Sequence, residues 1–531
     1  MGSAAEIVKR LATLKTLRLP HELVWRDCFD HSFPIRGSGL QSNNLTAQQA
    51  LDRKARLVDS TSTDAGRTLA SALQAGMTPA NARWFGLEVG GADDESKRWL
   101  DDASEQLHQE IHNANFDSVG FECQLDMVGA GWFAMYVDVD RDKGGLHYEA
   151  WPIAQVFASS TKPGGMVDTV YRNYNISAAQ AVREFGDACS ELVKKKATLE
   201  PDYSVEMVHC IYPRTPYAVG SKMAKNMPFA SFHVEVQQQH IVRESGYEEM
   251  PVIVPRWSLI PDTCYAVGPM FDALPDARML NEMKRMDYAS ADIAISGMWI
   301  AEDDGVLNPR TIKVGARKII VANSVDSMKP LLSGSNWQLA TDRIQGLQAS
   351  IRKILMADQL QPQDGPAMTA TEVHARIALL RQQLGPLFGR MQAEYLSGVI
   401  NRSFMLAFRA GIFGPPPESL GGRSFSIKYI SPLAKSQKLE EVSAIQQFNG
   451  YLMTFAEFKP EVLDVADFDA QAREMADSLG VPMSTVRTTD DMQALREART
   501  QQQQAVQAQA QQQNIQSMAA DAKFKQTAKA A

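Results

Sequence analysis

The sequence predicts an α+β chain of several domains, and three observations lead there. At 531 residues the chain is too long for one hydrophobic core, so two to four domains are expected. Its first half mixes short helices with strands in which apolar residues alternate. Its middle and end carry long helix-forming runs, chief among them residues 368–406, and helices of that length suit an elongated architectural part.

Residues 3–28 read as helix, with Ile7, Leu11, Leu14 and Leu17 at three-to-four spacing. A polar, Gly-containing loop follows at 36–48. A small-residue helix is expected over 57–76, ending near Gly76 and Pro79, and a third helix over 94–118. Gly131 to Asp140 then alternates, turns at Lys143-Gly144-Gly145, and pairs with 146–152 as a hairpin. Further strands are expected at 156–158, 169–174, 205–212, 229–237 and 251–257, interrupted by a helix at 177–185. Residues 1–265 thus read as one mixed α/β body.

The middle changes character. Residues 272–296 predict a long helix carrying Met279, Leu280, Met283, Met286 and Ile293. Residues 304–324 are β-like and turn-rich, and 342–360 are helical again, with Leu347, Ile351, Ile354 and Leu355 on one stripe. Helix, small β module, helix is the pattern of a stalk with a tip. The stretch QPQDGPAM (361–368) breaks the chain. Thr369 and Glu372 then match the capping box that opens the long helix towards Gly411, about 40 residues and on the order of 60 Å if unbroken. Gly385-Pro386 should kink it, because proline lacks an amide and clashes with the preceding turn. A short strand at 424–430 precedes helices at 440–457 and 467–479. Residues 492–518 are helical by propensity but so rich in Gln and Ala that they read as a frayed or oligomer-dependent arm.

The formal charge is −8, and no basic block supplies the many phosphate contacts that sequence-independent DNA binding requires. DNA, if a partner, passes by without being gripped. Five dispersed cysteines (Cys28, Cys123, Cys189, Cys210 and Cys264) include no CxxC pair and fit a reducing compartment. Met1 to Pro20 is amphipathic and punctuated by Lys9, Arg10, Lys15 and Arg18, unlike a signal peptide. No run reaches membrane-spanning length. Residues 289–300 come nearest, and Asp292 breaks them.

Enzyme signatures fail: there is no GxxxxGKS/T, no GxGxxG after a strand, no GxSxG and no HExxH. His108 and His112 share a helix face, but Glu110 is misplaced for a zinc protease and no third ligand is visible. Asp138, Asp140, Asp142 and Glu149 echo a calcium loop. Yet Gly144 sits seventh where the sixth position needs glycine, and the flanks read as strands, so a charged hairpin tip is expected. Neither a catalytic residue, a cofactor nor a metal is expected. The Trp84-Phe85, Trp132-Phe133 and Trp257 aromatics read as core or interface anchors.

Five blocks carry a resemblance over nearly the whole chain: 59–87 with Thr78-Pro79 and Trp84-Phe85; 115–137; 254–281 with Gly268-Pro269; MTATEV at 368–373 followed by Arg376; and YISPLAKSQ at 429–437. In their order and spacing the chain resembles the portal, or head-to-tail connector, proteins of short-tailed bacteriophages. One departure is Ala266, where the family's tyrosine turn, GxxYGxGP, has glycine.

The resemblance implies a ring-forming portal fold: twelve subunits at one capsid vertex, assembled in the host cytoplasm, with a double-stranded DNA channel for packaging and ejection. It implies a wing at 1–269, stem helices at 270–297 and 342–358 flanking a clip at 298–341, and a channel loop at 359–368. It further implies a wing-crossing helix and strand at 369–429, a crown at 430–495 and a C-terminal arm at 496–531. Expected partners are the major capsid protein, scaffolding protein, terminase large subunit, tail adaptor and tube proteins, and internal core proteins, with no membrane. Channel-loop candidates are Gln359, Gln361, Gln363, Asp364 and Met368. Candidate channel-lining acids are Asp276, Glu282, Asp287 and Asp292, whose charge would repel phosphates and help DNA slide, although Lys284 and Arg285 share their helix. Two other classes remain open on residues alone: a scaffold or adaptor without a channel, and an enzyme with an unrecognised site.

Overall fold

A computed structural model describes residues 2–40, 47–90, 93–140, 143–217, 223–296, 299–301, 328–330, 337–360, 385, 387–420, 425–429, 432–456, 458–479, 481, 485–487 and 491–504. Helices and strands are mixed in sequence and grouped into small sheets, an α+β arrangement. Two compact units divide the chain: Met1–Asn81 with Leu107–Ile412, and Ala82–Gln106 with Phe413–Ala531.

The chain opens with helices α1 (Ala4–Asp30), α2 (Ala47–Arg56) and α3 (Thr61–Met77), then strand β1 (Phe85–Glu88). Helices α4 (Asp94–Asn113) and α5 (Phe116–Ala130) follow. Strands β2 (Ala134–Val139), β3 (Leu146–Trp151), β4 (Val156–Ser159) and β5 (Thr169–Ser177) lead into helices α6 (Ala178–Phe185) and α7 (Glu191–Leu199). Then come β6 (Ser204–Pro213), β7 (Phe229–Glu235), β8 (His240–Tyr247), β9 (Val252–Ile253), β10 (Ser258–Leu259) and β11 (Ala266–Val267).

Two antiparallel sheets organise the first unit, one of order β3-β2-β9 and one of order β4-β5-β6-β7-β8. Period-two alternation sends the two sides of β6 in opposite directions. Val208 and Cys210 meet Ile7, Leu11 and Leu14 of α1, whereas Val205 and Met207 meet Ala181, Phe185 and Val193 of α6 and α7. Buried ion pairs tie distant segments together. Arg256 makes two bonds to Glu394, at 2.7 and 3.1 Å. Arg402 reaches Glu249 at 2.9 Å, and Arg36 grips both oxygens of Asp126.

The middle of the chain holds α8 (Pro269–Ser296), β12 (Trp299–Ala301), β13 (Met328–Pro330), α9 (Trp337–Ile354) and α10 (Ala357–Leu360). β12 and β13 pair antiparallel. The β-like 304–324 stretch lies outside the described residues. Further on, a π-helical turn (Gln392–Leu396) leads into α11 (Ser397–Arg409), and the chain turns away just after it at Gly411, whose φ is +73°. The expected capping box at Thr369 and Glu372, and the proline of the Gly385-Pro386 kink, also fall outside.

The second unit holds β1 paired with β14 (Ser426–Tyr429), then α12 (Pro432–Ala456) and α13 (Phe468–Leu479). Within it the Trp99 indole donates to the Gly414 carbonyl, Trp99 packs edge-on to Phe413, and the Ser104 hydroxyl accepts from the Leu87 amide. Residues 491–504 are helical and almost wholly exposed, and Arg496 clasps Asp469 at 2.7 and 2.8 Å. The rest of the Gln-rich arm is outside the described residues.

Several expectations are corrected. The helix expected over 57–76 is α3, starting at Thr61, and α2 lies just before it, partly inside the expected loop. The third helix expected to end at 118 is two: α4 stops at Asn113, and α5 runs on to Ala130, where Gly131 closes it in the left-handed conformation. The helix expected through 342–360 breaks at Met356, whose φ is +57°.

Candidate functional site

The helix pair α8–α9 begins where the chain makes its closest backbone approach. A Cβ on Gly268 would lie 2.6 Å from the carbonyl oxygens of Met127 and Val128, and one on Gly131 would lie 2.1 Å from the Val267 carbonyl carbon. Only glycine permits this contact. The Gly131 carbonyl accepts from the Trp257 amide at 2.7 Å, and the Gly268 carbonyl from the Phe271 amide at 3.0 Å. The start of α8 is thereby fastened to the end of α5. Pro269 opens α8 at a position where a missing amide costs nothing.

From there α8 buries Met270, Ala273, Leu274, Ala277 and Leu280, and α9 buries Ile344 and Ile351. The start of α8 meets the end of α9, where the Ser350 hydroxyl donates to Asp276 at 2.6 Å. Asn281 is buried and does two jobs: its carbonyl accepts from the Val58 amide at 2.7 Å, and its amide donates to the Arg56 carbonyl at 3.0 Å. Gln348 of α9 donates to Asp59 at 2.9 Å. Both helices are thus tied to the segment between α2 and α3.

The four acids of α8 divide between two sides. At 3.6 residues per turn, Asp276 and Asp287 lie within about 20° of each other, and Glu282 and Asp292 occupy the far side, roughly 80° apart. Burial agrees: the first two are half-buried and the second two exposed. The exposed side also carries Arg278 and Arg285. Arg278 pairs with Asp27, and Arg285 sits 3.6 Å from Glu282 while donating to the Arg56 carbonyl at 2.7 Å. That face is balanced in charge, not acidic. It also exposes Met279 and Met286, 56% and 62% accessible, as an apolar strip on a helix of one copy.

Arg26, Arg53, Arg56, Arg278 and Arg285 rim a concavity of about 500 Å³ beside α8, with Asp27, Asp30 and Glu282 among its carboxylates. Burial holds the neighbouring His31 below its ordinary range; Asp30 works against that shift and Arg285 adds to it. Sequence reading missed this grouping, because its members come from three helices far apart in the chain.

Of the loop candidates, Gln359 lies on α10, and Gln361, Gln363, Asp364 and Met368 are outside the described residues. The other sequence candidates do not assemble a site. The His108 and His112 ring centroids lie 4.5 Å apart with the planes tilted by 52°, and His112 is bonded to Asp117. Asp138 is held by the Tyr136 hydroxyl and Arg402, Glu149 by Arg172 and the Trp151 indole, and Asp140 accepts from the Lys143 amide in the hairpin turn. Asp142 is outside the described residues. Among those described, no group of three or more His, Cys, Asp or Glu could hold a metal, and no helix is long and apolar enough to cross a membrane.

Comparison with known proteins gives a consistent result. A family model described as bacteriophage head to tail connecting protein matches residues 4–486. The portal protein of Salmonella phage epsilon15 is 28% identical over 524 residues, covering 95% of this chain and 92% of that protein. The probable portal protein of Bordetella phage BPP-1 is 28% identical over 522 residues, covering 94% and 92%.

Proposed function

This chain belongs to the bacteriophage head-to-tail connecting (portal) protein family, and on that footing we propose that it closes with eleven further copies into a ring around an axial DNA channel. The observation that supports this most is the helix pair α8–α9, bracketing the paired strands β12 and β13 and rooted by Gly268 in the α/β body. Such a pair, repeated about an axis, forms a narrow stem with little backbone exposed. Its exposed strip of Met279, Met286 and balanced charges suits a heterologous contact that closes.

In this reading residues 1–269 are the wing, 298–341 the clip that meets terminase during packaging and the tail adaptor afterwards, and 430–495 the crown inside the capsid. The protein is a virion component at one capsid vertex and contacts the major capsid, scaffolding and internal core proteins. Its role is mechanical, and terminase supplies the ATP hydrolysis that drives DNA. Glu282 and Asp292 are the exposed acids of α8 and face the channel, whereas Asp276 is half-buried and bonded to Ser350. The loop at 359–368, with Gln359, Gln361, Gln363, Asp364 and Met368, touches the duplex without sequence readout.

Deleting residues 361–367 tests this. Rings should assemble with unchanged subunit number, while heads carrying them lose packaged DNA or fail to retain it. Full genome filling and retention in the deletion phage would contradict the channel-loop role.

A further inference from the structure

We propose that a second, separate site on the α/β body binds an oxyanion, a phosphate or carboxylate group, in the cavity between the start of α1 and the larger sheet. The cavity has a volume of about 520 Å³ and is lined by Arg10, Ser159, Tyr171, Arg214, Lys225 and Glu244 among others. No residue of α8 or α9 lines it, so the inference does not rest on the proposed ring.

Two independent observations carry it. The first is a buried donor without a mate. Tyr171 is 0% exposed, and its hydroxyl has no hydrogen-bond partner among the described residues. An unpaired buried polar group costs about 1–3 kcal/mol, so native chains seldom keep one without a use. Burial also raises the phenol's pKa, so the hydroxyl keeps its proton and offers a donor.

The second is the charge around it. Arg10, Arg214 and Lys225 supply three cations, and Glu244 is the carboxylate in the lining, 3.7 Å from Arg214 and 4.0 Å from Lys225. Arg10 makes one long bond, 3.4 Å, to the Ser159 hydroxyl, which leaves most of its guanidinium fork for a ligand. Glu6 is already used at the helix start, where it accepts from the Gly2 amide at 3.1 Å. In a chain of net charge −8, a surplus of cations beside an unpaired phenol is a local departure that an anion would complete. The cavity leaves room for the group to arrive on a larger molecule.

Thermal unfolding of the full-length protein in phosphate, acetate and chloride at matched ionic strength tests the assignment. Wild type should show a saturable rise in midpoint over chloride. A rise in phosphate alone identifies a phosphate group, and a rise in acetate a carboxylate. Arg10→Gln should abolish the rise. Tyr171→Phe should raise the half-saturating concentration about tenfold or more, for the loss of one bond to a charged acceptor. In chloride, Tyr171→Phe should unfold at the wild-type temperature or above, since it deletes an unpaired hydroxyl. Equal midpoints in all three salts would overturn the proposal and leave the cavity to water. So would a Tyr171→Phe protein that keeps the full response, a conservative change that guards against misfolding of Arg10→Gln.

Discussion

The junction between Gly131 and Gly268 should be the most sensitive backbone position near the start of α8. Gly268→Ala places a methyl 2.6 Å from two carbonyl oxygens and 2.8 Å from the Gly131 nitrogen, all of them backbone atoms that cannot swing aside. Overpacking of this kind costs about 1–3 kcal/mol. Gly131→Ala meets the Val267–Gly268 peptide still more closely, at 2.1 to 2.4 Å, and must also hold a side chain at φ +84°. The left-handed conformation adds roughly 1–2 kcal/mol, so its total is about 2–5 kcal/mol. Urea unfolding of the two variants, read as midpoint shifts at unchanged slope, measures both. Gly411, which also follows a helix at positive φ (+73°) but has open space around it, serves as a control; Gly411→Ala should cost only the conformational part. If Gly131→Ala costs no more than Gly411→Ala, α8 is not anchored by close backbone approach.

Two further outcomes follow from buried charge. Burial, then the stacked His233 and the Arg172 and Arg243 cations, hold His209 well below its ordinary range, while Ser231 bonds its ring at 2.9 Å and Trp151 and Tyr136 pack edge-on. The native ring refuses a proton that the unfolded chain accepts near pH 6.5. Stability is therefore full above that pH and falls below it, by up to about 1.4 kcal/mol per pH unit. His209→Gln should flatten the decline in urea midpoint between pH 7 and 5, leaving a residual slope from His21 and His31, which burial also depresses; an unchanged slope would contradict this. Arg256→Ala, which strands Glu394 in a nearly dry site, should cost about 3–5 kcal/mol, whereas Arg256→Met with Glu394→Leu should come within about 1 kcal/mol of wild type or exceed it. Comparable losses in the single and double variants would show that the pair itself, and not the unpaired charge, sets the cost.

Much of this architecture is readable in the chain, and where it is not the cause is physical. α1 shows its stripe through Ile7, Leu11 and Leu14, because one face meets a sheet and the other meets water, but Leu17 is exposed and the buried Arg18 continues the stripe in its place. α5 was missed beyond residue 118 because Phe116, Gly120, Cys123, Gln124, Asp126, Met127 and Val128 are buried, so no polar face marks the period. β8 escaped notice because its burial is partial and its residues largely polar. The break at Met356 has no turn residue to announce it. α8 was legible as a helix, but the division of its acids was not. Asp276 finds Ser350 across 74 residues of sequence, and Arg278 finds Asp27 across a longer span still. The oxyanion cavity was invisible for the same reason: Tyr171 reads as an ordinary strand aromatic until α1 closes over it.

In the proposed ring, copies of this chain surround an open axis with α8 and α9 forming its neck. An electron cryomicroscopy reconstruction of the purified assembly tests it directly. A closed ring of twelve subunits is expected, with an axial opening wide enough for duplex DNA and both helices beside it. A stable single copy, a permanently plugged axis, or a ring with α8 on its outer wall would contradict it.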